Sequence, residues 1–151
     1  MRKVNLLVFV LILVAAVSSS CKKKKGCKDP ISINYDKEAE LDDGSCEYAG
    51  IGGNVTIVAY PKHHASETRP YHAFVKFNAT DFPGNNPNYY DLDITADTTE
   101  NHIEIKNLKR GKYFIYLTAY DTSSTINVNG GIPLTVSQNF GEMIITIPVT
   151  E

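Results

Sequence analysis

Ile103-Glu104-Ile105-Lys106-Asn107-Leu108-Lys109-Arg110-Gly111-Lys112-Tyr113 holds a strand, a turn and the start of a second strand in one short stretch. Apolar Ile103 and Ile105 alternate with charged Glu104 and Lys106, the period of a strand with one buried and one wet face. Gly111 supplies the permissive backbone between the two strands. Residues 113–120 are then rich in aromatic and β-branched side chains, the composition of a central strand.

Outward from this unit the same signal recurs. Strands are predicted over residues 55–60, 73–77, 89–95, 102–106, 113–120, 132–136 and 143–149, separated by Gly, Pro and Asn. After residue 53 no stretch keeps the helical period for more than a turn. Seven short strands with one-faced alternation predict an all-β fold, a seven-stranded antiparallel sandwich of immunoglobulin-like type over residues 54–151. Pro148 suits an edge strand or a terminus.

The order of segments resembles a transthyretin-like or carboxypeptidase-regulatory-like sandwich. The resemblance rests on Gly53-Asn54-Val55-Thr56-Ile57, then Ala73-Phe74-Val75-Lys76-Phe77, then the quoted stretch, where the family pattern runs "nLkpGkY" into a strand that begins at Tyr113. Arg110 stands where the family usually has Pro. The resemblance implies a non-catalytic structural, adhesive or binding module.

The chain opens with Arg2 and Lys3, an apolar run over residues 6–17, then Ser18-Ser19-Ser20-Cys21. A basic start, a short apolar core and small residues describe a secretory signal peptide over residues 1–20. The run is shorter than the ~20 residues a membrane span requires. It resembles the lipoprotein signals of Bacteroidetes-type envelope proteins, which implies that Cys21 is acylated. Ser18 stands where the commonest form has Leu. The alternative is an ordinary cleaved signal with Cys21 left as a thiol.

Lys22, Lys23, Lys24 and Lys25 follow directly, either as a tether drawn to anionic headgroups or as a solvated linker. In lipoproteins of that type acidic residues after the cysteine tend to mark export to the outer face, so with lysines there the resemblance implies a lipid-anchored cell-envelope protein on the outer membrane, facing the periplasm. The chain carries a net charge of −2, and losing Arg2 and Lys3 leaves about −4 on its side chains. That balance argues against nucleic acid.

The chain has three cysteines. With Cys21 lipidated, Cys27 and Cys46 remain and can pair in an oxidising compartment. Residues 26–48 read GCKDPISINYDKEAELDDGSCEY and closely resemble a segment repeated in exported Bacteroidetes proteins, GCTDPxAxNYxxxAxxDDGSCxY. Ser32 stands where that pattern usually has Ala. The resemblance carries over a module, not an activity. A piece this small needs a staple in place of a core, and a disulfide across this loop would supply roughly 3 kcal/mol. Asp29, Asn34, Asp36, Asp42 and Asp43 put five oxygen-bearing side chains into the loop. They serve either as turn and capping residues or as a weak Ca²⁺ site, although EF-hand spacing is absent. Residues 49–53 read as a Gly-rich flexible joint.

Four constellations could carry chemistry. His63 and His64 lie near the start of residues 61–71, and His72 directly follows that segment. If that segment is a hairpin-like loop, they form a candidate Zn²⁺ or Cu²⁺ site, with His102 as a possible fourth ligand. Its polar residues equally describe a wet loop. Asp91, Asp93, Asp97 and Glu100 lie near Tyr89 and Tyr90, an arrangement compatible with sugar hydrolysis. The alternation of Asp91 and Asp93 with apolar residues instead marks a solvent face. No nucleophile or phosphate-loop motif occurs, so no enzyme is expected. The long loop at residues 81–90 presents Phe82, Tyr89 and Tyr90, either for recognition of a protein or glycan or as a cap folded on the core. Asp97-Thr98-Thr99 resembles a short O-glycosylation signal of Bacteroidetes exported proteins.

Overall fold

A computed structural model describes residues 22–64, 66–97 and 99–151. The predicted signal peptide and Cys21 lie outside the described residues. Among those described there is no α-helix. A short module carries β1 (Lys25–Gly26) and β2 (Leu41–Asp42). The main body is built from β3 (Ile51–His63), β4 (Ser66–Phe77), β5 (Leu92–Thr95), β6 (Ile103–Leu108), β7 (Gly111–Asp121), β8 (Ile126–Val136) and β9 (Phe140–Pro148). All seven expected strands are present.

β3 and β4 pair only at their hairpin end, where Lys62 meets Glu67 and His63 meets Ser66. Beyond that they diverge into two sheets. One has β3 between β6 and β9. The other runs β5-β4-β7-β8. Period-two alternation then sends one side-chain set of each strand into the gap between the sheets. Val55, Ile57 and Ala59 of β3 and Ile103, Ile105 and Leu108 of β6 meet Ala73 and Val75 of β4 and Tyr113, Ile115, Leu117 and Ala119 of β7 in one buried cluster.

One pairing departs from the antiparallel expectation. β9 lies parallel to β3 from Asn54↔Phe140 to Lys62↔Pro148. Direction counting explains it. The chain reverses from β3 to β4, β4 runs antiparallel to β7, and β7 to β8. After three residues it crosses sheets, so β9 points the same way as β3.

β8 is longer than its sequence suggests, because Asn127, Asn129, Gly130 and Gly131 resemble a loop. These glycines mark close approach instead. A Cβ on Gly130 would lie 2.2 Å from the Pro148 carbonyl oxygen, and one on Gly131 would lie 2.6 Å from the Phe114 ring.

Of residues 49–53, expected as a flexible joint, Ile51 to Gly53 already belong to β3, and Ala49 packs against the core. Gly50 is buried, its N–H donates to the Tyr113 hydroxyl at 3.0 Å, and its carbonyl accepts from Lys109 N at 2.9 Å. Tyr113 also donates to the Lys109 carbonyl at 2.7 Å. One buried phenol thus fastens the entry to β3 onto the β6–β7 turn, and burial pushes it up to about 12.

Candidate functional site

The outer face of β5-β4-β7-β8 carries the most distinctive surface chemistry of the molecule. The side chains of β4 and β7 that alternate away from the main core include Phe74, Phe114 and Tyr116, which form a second buried cluster. Residues 81–90 lie over them. Phe82 sits with its ring centroid 5.7 Å from Phe114 and 5.4 Å from Tyr116, and Tyr90 lies 6.0 Å from Tyr116. Loop and sheet therefore share one aromatic layer. The loop caps the outer aromatic layer in part and leaves two of its rings half exposed. Tyr90 is the more covered ring, and desolvation beside Tyr116 pushes its hydroxyl up to about 12. Phe82 and Tyr89 remain 51% and 53% exposed.

The loop is held by its own bonds. Asn86 caps a single 3₁₀ turn, Pro87–Tyr89, its side-chain oxygen accepting from Asn88 N at 3.0 Å. Tyr90 donates to the Gly84 carbonyl at 2.9 Å. Gly84 (φ +112°) passes beneath the Tyr89 ring, where a Cβ would come within 3.3 Å of it. Only glycine fits that left-handed approach without strain. Tyr116 reaches both Asn129 Oδ1 at 2.8 Å and Asn85 Oδ1 at 3.3 Å.

The histidines do not converge. Residues 61–71 are mainly strand, not loop: β3 continues to His63, and β4 starts at Ser66. His64 stands between them in the left-handed region at φ +50°. His63 is 2% exposed and donates from Nδ1 to Asp121 Oδ2 at 2.8 Å. Asp121 is itself buried and also accepts from Ser123 Oγ, Ser123 N and Ser124 N. The Ser123 hydroxyl and then His63 hold its carboxyl well below the usual carboxylate range. The His64 ring lies tilted against His63, with centroids 4.2 Å apart. His72 stands on the outer face, 5.5 Å from the Phe74 ring and 2.7 Å from Asp93 Oδ1. His102 packs on Tyr60. Strand alternation separates His63, on the core side, from His72. Among the described residues no three His, Cys, Asp or Glu side chains gather to hold a metal ion.

The carboxylates are dispersed in the same way. Asp91 pairs with Lys76 at 2.9 Å and accepts from Phe77 N at 2.7 Å. Asp93 pairs with His72, while Asp97 accepts from Thr99 N and Oγ1. Those Thr99 bonds lower the Asp97 carboxyl. Glu100 lies 3.8 Å from His102.

In the small module Cys27 and Cys46 are joined in a disulfide. Each of the five candidate Ca²⁺ ligands has a local partner. Asp29 accepts from Ile31 N and pairs with Arg110 at 2.8 Å. Asn34 accepts from Glu47 N at 2.7 Å, and Asp36 accepts from Ala39 N and pairs with Lys24. Asp42 accepts from Gly44 N and Asp43 from Ser45 Oγ. These are turn and cap bonds. Arg110 also places its guanidinium 4.9 Å from the Tyr48 ring centroid, so the residue found where Pro was expected clamps the module to the sandwich.

Sequence reading missed Asp121, Ser123 and the Phe114–Tyr116 layer. A buried Asp after an aromatic strand looks like turn chemistry, and Phe114 and Tyr116 look like core until both faces of β7 are known to be covered.

The fold and surface define an all-β sandwich with a disulfide-bearing appendage and an aromatic loop on one outer face. No protein-family model matches the chain, and no curated protein matches it. Among solved structures it is similar to the crystal structure of a DUF4876 family protein from Bacteroides thetaiotaomicron VPI-5482, with 18% identity and a TM-score of 0.37 over 64% of this chain and 24% of that one. The chain thus spans about a quarter of the solved chain it matches. A likeness at that level assigns neither a family nor an activity.

Proposed function

We propose that this chain is a non-catalytic cell-envelope lipoprotein that serves as a binding or structural module for a protein or glycan partner. In this reading Cys21 carries the lipid and Lys22 to Lys25 lie at the outer-membrane surface facing the periplasm. The disulfide module then spaces a transthyretin-like sandwich from the membrane. The observation that carries it is the pair of half-exposed rings, Phe82 and Tyr89, on a loop fixed by internal hydrogen bonds. Pre-ordered aromatic side chains lose little entropy on contact, which is why they anchor interfaces.

Two measurements test it. Labelled fatty acid fed to cells should enter the wild-type chain and not Cys21→Ala, and the variant should leave the membrane fraction. A photo-crosslinker at position 89 should capture a partner in intact cells, whereas the same probe at exposed Thr135 should not. Label retained in Cys21→Ala, or equal capture at both positions, would refute the anchor or the loop respectively.

A further inference from the structure

The loop chemistry narrows the partner to one class, an inference that rests on the binding-module reading above. We infer that residues 82–89 form a stacking site for a neutral glycan. Phe82 has one ring face seated against Phe114 and Tyr116 and remains 51% exposed. Tyr89 is braced against Gly84 and is 53% exposed. An aromatic face carries negative quadrupolar charge. The axial C–H hydrogens of a pyranose ring carry a slight positive charge and present a flat apolar face of matching size. A side chain already pinned by a covered face loses little freedom when the other is occupied.

The polar neighbours suit hydroxyl groups and not ions. From Asn78 to Tyr90, both included, the only charged residue is Asp81, while four of the residues are Asn. Asn86 gives its side-chain oxygen to Asn88 N, which leaves its exposed amide nitrogen as an outward donor. The Asn88 side chain is exposed and has no hydrogen-bond partner among the described residues. A carboxamide both donates and accepts, as a sugar hydroxyl does. Within residues 78–90 an anionic ligand would find no cation, and Lys76, opposite Phe114 on the sheet, is already paired with Asp91.

The test uses the full chain, exported and purified with its disulfide intact, in native gels containing mannan, xylan, mixed-linkage β-glucan or pullulan. Retardation by at least one of these neutral polysaccharides is expected. Tyr89→Ala should weaken it by about tenfold, the loss of one stacked ring, and Asn86→Ala should weaken it less. Tyr71→Ala, another exposed tyrosine, should leave it unchanged. Phe82→Ala should match Tyr89→Ala while a thermal melt reports whether the layer over Phe114 survives. Signals of Asn86 and Tyr89 should shift together when the matching hexasaccharide is added. Unchanged mobility in all four gels, or retardation that survives both ring removals, overturns the glycan assignment. If position 89 nonetheless crosslinks to a protein, the glycan inference fails and the binding-module reading stands. If neither glycan nor crosslinked partner is found, both fail.

Discussion

Replacing Tyr113 with Phe removes one oxygen and tests how the sandwich is closed. Tyr113 is fully buried. Its hydroxyl donates to the Lys109 carbonyl at 2.7 Å and accepts from Gly50 N at 3.0 Å. Phe keeps the ring and its edge-on contact with Phe77, so almost no cavity arises. What changes is hydrogen bonding: a net ~1 kcal/mol for the bond to Lys109, and a further ~1–3 kcal/mol because the Gly50 N–H is left buried without an acceptor. The expected loss is therefore ~2–4 kcal/mol. In urea, with a slope of ~1.5–2 kcal/mol/M for a chain of this size, the midpoint should fall by about 1.5 M with the slope unchanged. Hydrogen exchange supplies the local readout: the Gly50 amide should lose protection while Ile115, in mid-strand, loses only what the global stability change requires. The pH arm is independent. Burial holds the neutral phenol in the fold and raises it to about 12, so its contribution is complete below the unfolded value near 10. It is lost as pH rises from about 10 toward 12. Tyr113→Phe should flatten the alkaline limb over that window, with the Tyr90 and Tyr116 hydroxyls, also raised by burial, contributing to what remains. A midpoint shift below about 0.3 M together with an unaltered alkaline limb would refute the clamp.

Further tests address other parts of the molecule. Asp121, held low by Ser123 and His63, stabilises the fold above its unfolded value near 4. Acid titration should therefore erode stability as pH falls below about 4, and Asp121→Asn should reduce that erosion while lowering the melting temperature at pH 7. Changing Cys27 and Cys46 to Ser together should cost the module ~3 kcal/mol of closure, seen as proteolysis within residues 26–48 while the strand circular dichroism persists. Gly53→Ala should destabilise the entry to β3 by ~3 kcal/mol in urea, because its Cβ would meet the Leu108 carbonyl oxygen at 2.1 Å with only backbone to yield. Calcium at millimolar concentration should leave the melting temperature of the intact chain unchanged, since all five module oxygens already have local partners. A rise of several degrees would restore the calcium reading.

The sequence by itself determined the strands and what punctuates them. Ile103 and Ile105 against Glu104 and Lys106, and the dense apolar run from Tyr113, state local facts: period, propensity and a glycine where the backbone turns. The five module oxygens were equally legible as Asp and Asn in turn positions, because their partners lie within a few residues or close the same small loop. The tertiary structure alone decided which surfaces those strands share. That His63 faces Asp121 while His72 stacks on Phe74 depends on which face of two strands meets the other sheet. Alternation labels two faces without saying which is covered. That β9 joins β3 in parallel, that Arg110 reaches Asp29, and that Phe82 lies on Phe114 and Tyr116 are contacts between residues far apart in the chain. Nothing in their own neighbourhoods encodes them, because the burial that stabilises such contacts exists only once both sheets have formed.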